Sequence, residues 1–359
     1  GGDFKIDGKV KITHVTVDIN SGGGSIEITK DIIGSNGGNE ILELDDGGVG
    51  SSGVITLGGD VGAAADSASL IQTVKLTAAG GINLAGDITT SNQAGSVDIA
   101  GPVTLKGDVV IDANAAATTV TFSSTSTVNS DSTARDLTIK SDTGKISMEA
   151  GIGTSAAIDV LSITNAGHID LVGLGNSTGP VNGVTNGTTI GGASTTQIKL
   201  DGTVYRTAGA QTYTTTATGN KILFTNTGGA TITTNATAVG FVGGDVKLTE
   251  DANLTITTGS GNGNIAFGGA IKGDTTTNSK FSDVTLTSGT GTVTLGGVVE
   301  DDIKDVTITA SSTSNVTLKG NITLEDAGSL DITGNVVADA ATLAIDTTCL
   351  LYTSDAADE

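Results

Sequence analysis

The chain has 359 residues and a formal net charge of −22, an acidity that disfavours nucleic acid and anionic lipid as partners. Only 16% of residues are charged and 36% hydrophobic, while 54 are glycine and 2 proline. This Thr-, Ser- and Gly-rich mixture suits short strands and tight turns and is poor in helix formers. No apolar run reaches the roughly 18 residues that a membrane-spanning helix needs.

The chain opens on Gly1-Gly2-Asp3-Phe4, without an initiator Met or a signal-peptide pattern, as expected of an internal fragment. Strand-like runs follow at Val10–Ile19 and Ile26–Thr29, then an acidic turn at Asp45-Asp46-Gly47-Gly48. From there one pattern dominates: apolar–x–apolar–x–Gly–x–Val/Ile. It reads Ile55-Thr56-Leu57-Gly58-Gly59-Asp60-Val61, then Ile82-Asn83-Leu84-Ala85-Gly86-Asp87-Ile88, then Val103-Thr104-Leu105-Lys106-Gly107-Asp108-Val109. Further copies span Ile198–Val204, Ile265–Ile271, Val293–Val299, Val316–Ile322 and Leu330–Val336.

Each copy alternates like a half-buried strand and then bends at a glycine. A unit this small cannot bury its apolar face alone, so it must stack on its neighbours. The spacing predicts an all-β fold, a parallel β-solenoid (β-helix) with coils of about 20–28 residues and two or three strands in each. Roughly fifteen coils at about 4.8 Å would make a rod on the order of 70 Å long. Regular alternation argues against disorder, the main rival for so Gly- and Ser-rich a chain.

Other strands precede the motif, as Val74–Thr77, Leu254–Thr257, Asp283–Ser288 and Asp305–Thr309 do. Short ones follow its glycine, as at Val109–Ile111 and Val298–Val299. Val293, Leu295, Val316 and Leu318 are expected to point inward, with the intervening threonines outward. The small, polar segments Ala113–Thr119 and Ser123–Thr133 read as turns around a strand carrying Val120 and Phe122. Leu174–Thr196, with Pro180 and several glycines, reads as an irregular loop. No composition shift divides residues 1–348, which are expected to form a single solenoid.

Candidate chemistry is sparse. His14 and His168 stand in strand-like contexts without a partner at ligand spacing, and no P-loop, HExxH or dinucleotide-binding motif occurs. The best metal candidates are acidic: Asp45 with Asp46, and Glu300, Asp301 and Asp302 with Asp305. These could supply oxygen ligands to Ca²⁺, although neither group matches a calcium-repeat or EF-hand pattern and solvated turns are the plainer reading. No other cofactor is indicated. Asp87 and Asp108 share a motif position and are expected to stack in adjacent coils. Their repulsion of about 0.9 kcal/mol in water needs no metal. Asn321 and Asn335 fill the same slot in later copies, consistent with a turn role.

A glycan-active enzyme would need clustered carboxylates or basic residues beside aromatic platforms. There is no Trp, and the Tyr205–Arg206 pair and Tyr213 are thin support, so no enzymatic activity is expected. Pairs such as Thr255 with Thr257, Thr285 with Thr287 and Thr307 with Thr309 raise ice binding, but variable coil spacing predicts that they do not form a flat ladder.

The runs Val284–Gly297, Ala208–Tyr213 and Asn315–Leu324 resemble large bacterial β-strand-repeat surface proteins, the filamentous haemagglutinin-like adhesins and autotransporter passengers. The resemblance covers most of residues 50–346. It implies a right-handed solenoid exported to the bacterial cell surface or beyond, serving as an adhesin or stalk segment. Its partners would be glycans or proteins of a host or neighbouring cell; a purely architectural role in a surface layer, matrix or fibre is the alternative. The end of the chain, Cys349–Glu359, resembles the translation of a sequencing adapter, which would make the only cysteine and Tyr352 foreign. A native segment without cysteine excludes disulfide staples and thiol catalysis.

Overall fold

A computed structural model of the protein describes residues 1–47, 50–62, 69–113, 118–177, 183–216, 221–249, 251–274 and 281–347. The adapter-like tail, Gly48 and Pro180 lie outside the described residues. Every described element is a strand or an isolated bridge, and every strand pairing is parallel, so the fold is an all-β solenoid of about 13 turns.

Each rung visits three faces in fixed order. Face A begins with Phe4–Ile6, face B with Val10–Lys11 and face C with Thr16–Asn20. Face C is one sheet of 14 strands, ending at Ile345–Asp346. Face B is continued between Ile32 and Ile88 by the bridging residue Val61. Face A is two six-stranded sheets joined through Ile152 and Leu174, which bridge Val128 to Tyr205. At about 4.8 Å per rung the stack is roughly 60 Å long, slightly shorter than expected because some coils are longer than expected. Ile82 pairs with Val103 across a short coil, whereas Ile41 pairs with Thr73 across a much longer one.

The core follows from the alternation. Val293, Leu295, Val316 and Leu318 are at most 2% exposed, and they belong to one apolar spine running from Ile12 to Leu324. A buried Val, Leu or Ile contributes about 1.5–3 kcal/mol, so each rung adds stability only where its neighbours cover it. Accordingly Val336 and Ile345, on the last described rung, are 53% and 50% exposed.

The recurrent motif marks a corner rather than a face. Its copies at Ile55–Leu57, Ile82–Leu84 and Val103–Leu105 lie on face A, whereas Ile265–Phe267, Val293–Leu295 and Val316-Thr317-Leu318 lie on face B. The copy at Ile198 starts on face C. The motif's glycine is required by close approach. A Cβ on Gly86 would stand 2.4 Å from the Gly59 carbonyl carbon, and one on Gly320 equally close to that of Gly297. Backbones of successive corners therefore touch with no room for a side chain.

Several expectations change. Val10–Ile19 is two strands, because the chain turns a corner between Lys11 and Thr16 and leaves Val15 58% exposed. The turn segment after Phe122 contains a face A strand, Val128–Ser130, whose Val128 is fully buried. Within 174–196 runs the strand Val184–Gly191, burying Val184, Thr188 and Ile190. Thr188 at an inward position is what hides the alternation there.

The threonine pairs, for which unequal coils predict no flat ladder, stand in register from rung to rung. One residue of register between the last two of these coils is taken up at a bulge between Ser282 and Val284. Thr255 thus pairs with Thr285 as directly as Thr285 pairs with Thr307, although the first of these coils is the longer.

Candidate functional site

The acidic residues sit chiefly at corners, where the strand ladder is interrupted and backbone N–H groups lose their carbonyl partners. There a carboxylate or amide accepts the N–H of the rung above. Asp60 Oδ1 accepts from Asp87 N at 2.9 Å, and Asp87 Oδ1 accepts from Val110 N at 2.8 Å. A second line runs from Asp108 through the N–H of Asp136, whose Oδ1 accepts from Val160 N. A third runs from Asn253 to Asp283, Asp305 and Ser329.

Asp87 and Asp108 therefore do not stack on one another. Ile88 pairs with Ile111 rather than with Val109, and this offset places Val110 above Asp87. Asn321 and Asn335 also part: Asn321 accepts Ala344 N before a face C strand, whereas Asn335 begins the face B strand Asn335–Ala338. Replacing Asp87 by Ala should lower stability by about 1 kcal/mol, since a corner N–H loses its acceptor, while Asp87→Asn should change it little. Urea unfolding of both variants measures this.

Of the six calcium candidates, Asp45, Asp46, Glu300 and Asp305 are engaged by protein groups. Asp45 accepts from Gly47 N at 2.8 Å and from Asn20 Nδ2 at 3.4 Å, and Asp46, fully buried, accepts from Ala79 N at 3.1 Å. Glu300 pairs with Lys272 at 3.0 Å, which raises the lysine's pKa, first through that hydrogen bond. Asp305 accepts from both the hydroxyl and the N–H of Ser329, and these hold its carboxyl below the usual range. Asp301 and Asp302 form a left-handed corner, with φ of 60° and 57°. Among the described residues no three His, Cys, Asp or Glu side chains gather as a metal-binding group.

Asp302 is under electrostatic stress. Its Oδ2 is buried with no hydrogen-bond partner, and burial raises its pKa, helped by Glu325, Asp301 and Asp274. A raised folded-state pKa means that stability falls as pH climbs from the ordinary Asp value through the folded one. Asp302→Asn removes the charge and suits the left-handed backbone. It should raise stability at pH 7 on the order of 0.5 kcal/mol, with the gain vanishing in acid below the ordinary Asp pKa. Thermal melts of both proteins across pH 3–7 test the sign.

Open grooves cross the surface. One of about 610 Å³ runs beside face C, lined by Thr119, Thr143, Lys145, His168, Ser194 and Thr196. Lys145 is paired there with Asp170 at 2.6 Å, while His14 is exposed far away beside Thr13. A second, of about 210 Å³, gathers Lys221, Lys247 and Lys272 with Asp245 and Asp301. Lys247 and Lys272 are already ion-paired, to Asp274 and to Asp245 and Glu300. Another, of about 360 Å³, lies beside Arg206.

The two tyrosines among the described residues are interior. Tyr205 and Tyr213 are 0% exposed, and burial pushes both hydroxyls above the ordinary pKa of 10.0. Tyr205 OH donates to Leu171 O and accepts from Gly202 N, both at 2.8 Å. Neither ring is a platform for a sugar. Sequence reasoning missed Glu40, wholly buried, whose Oε1 accepts the N–H groups of Ser35 and Asn36. It also missed Gln211, buried at the centre of the tyrosine network. Nothing in the sequence but a polar residue beside a strand, at Glu40, or inside one, at Gln211, marks them.

No helix among the described residues is long and apolar enough to cross a membrane. No family model, curated protein or solved structure matches the chain.

Proposed function

We propose that the chain is a segment of a secreted bacterial surface protein, a stalk that attaches its cell to a neighbouring cell or matrix. The observation that carries this reading is the unbroken 14-stranded face C, stacked with its partner faces around one apolar spine. Such a stack transmits position along its axis, and its corners present loops at repeated intervals, so weak contacts to surface glycans or proteins combine into avidity. The acidic outer surface, held by rung-to-rung ion pairs such as Lys5–Glu27 and Lys75–Glu43, favours solubility outside the cell.

Labelled full-length chain should bind saturably to glycan arrays or to cell surfaces, measured with and without Ca²⁺. Binding no greater than that of an acidic control protein on every surface would overturn the attachment role and leave an architectural one.

A further inference from the structure

The second half of face A carries a two-column threonine array. Register places Thr231, Thr255, Thr285 and Thr307 in one column, and Thr233, Thr257, Thr287, Thr309 and Thr333 in the other. All alternate with inward-facing residues such as Ile232, Ile256, Leu286 and Ile308, so their side chains face outward. Among the described residues none of these hydroxyls hydrogen-bonds to another protein group, although hydroxyls elsewhere (Thr207, Thr234, Thr258) bond to backbone carbonyls. The columns hold no charge until Arg206 below and Asp331 above.

We infer that this array is an ice-binding face. In-register residues of neighbouring rungs stand about 4.8 Å apart, and alternate residues of one strand about 6.7 Å apart. With O–H···O contacts of about 2.75 Å, two waters sharing a tetrahedral neighbour lie about 4.5 Å apart, and the axial repeat of the resulting network is about 7.3 Å. Both protein spacings fall within about a tenth of these, a mismatch that threonine rotamers can absorb. Each residue offers a methyl group and a free hydroxyl, so waters between the columns can be ordered by the hydroxyls while the methyls exclude disordered solvent. A charged ligand finds no counter-charge within the two columns, the nearest carboxylates being those of Asp283 and Asp305 beside the first column, which accept the N–H groups of Asp305 and Ser329, and a sugar finds no aromatic ring. The ligand class that fits is the periodic surface of ice itself.

The test is a single ice crystal watched in a nanolitre osmometer with the purified full chain. The expected result is a freezing point held below the melting point, with faceted crystals. Thr285→Tyr, which plants a ring in the middle of the array, should lose both effects with an unchanged circular dichroism spectrum. Thr317→Tyr, on the outward side of face B, should keep them. Unshaped crystals and no hysteresis from the folded chain would overturn the inference. So would full activity in Thr285→Tyr, or an equal loss in Thr317→Tyr.

Discussion

Replacing Phe241 by Ala is expected to lower stability by about 3–5 kcal/mol, the usual range for removing a buried aromatic ring. Phe241 is 1% exposed and sits midway in an interior aromatic stack. Its centroid lies 5.3 Å from that of Tyr213 and 4.7 Å from that of Phe267, both rings stacked nearly parallel to it, and Phe224 meets it edge-on at 6.2 Å. Each such pair adds about 0.5–1.5 kcal/mol beyond area burial. In a solenoid the loss falls on the interfaces of one rung with its two neighbours. Phe241→Ala should therefore split urea unfolding into two phases, as the stacks on either side lose their coupling. A single transition within about 1 kcal/mol of the parent would contradict the packing described.

The second large effect concerns Gln211. Its Nε2 donates to Tyr205 O at 2.9 Å, to Thr207 Oγ1 at 3.1 Å and to Thr233 O at 3.3 Å, while its Oε1 accepts from Tyr213 OH at 2.6 Å. Gln211→Ala strands the Tyr213 hydroxyl in an apolar interior, which costs about 1–3 kcal/mol, and leaves the space of the amide side chain empty. A loss of about 3 kcal/mol is expected. Tyr213→Phe removes the stranded hydroxyl, so the double variant Gln211→Ala with Tyr213→Phe should be more stable than the two single losses added together predict. Strict additivity in that cycle would show that the two side chains do not form one network.

These two residues show where the sequence was legible and where it was not. The alternation of Val, Ile and Leu announces strands, and glycine after a short strand announces a corner, because both signals are local. Which face a strand joins depends on the number of residues at the preceding corners, so the same motif serves face A at Val103 and face B at Val293. Register has the same non-local origin. Unequal spacing between Thr255, Thr285 and Thr307 hides a ladder that strand pairing sets in register.

Polar residues misled for another reason. Asp87 and Asp108 look like stacked, repelling charges in sequence, but each accepts a backbone N–H that the corner leaves exposed. Tyr205, beside Arg206, resembles a surface pair, yet inward alternation buries its ring. Gln211 and Thr188 occupy inward positions that a hydrophobic pattern does not reveal, and Gln211 is tolerated there because interior acceptors and a donor surround it.

The register of the stack is tested most directly by disulfide trapping in a Cys349→Ser background. Thr255 and Thr285 are rung neighbours despite their separation in sequence, so their Cα atoms stand about 4.8 Å apart, inside the disulfide range. Thr255 and Thr307 are two rungs apart, about 9.6 Å, beyond that range. Mild oxidation should close the bond in the Thr255→Cys, Thr285→Cys variant and leave the Thr255→Cys, Thr307→Cys variant open. Closure of the second pair and not the first would contradict the stacked-rung architecture on which every other conclusion rests.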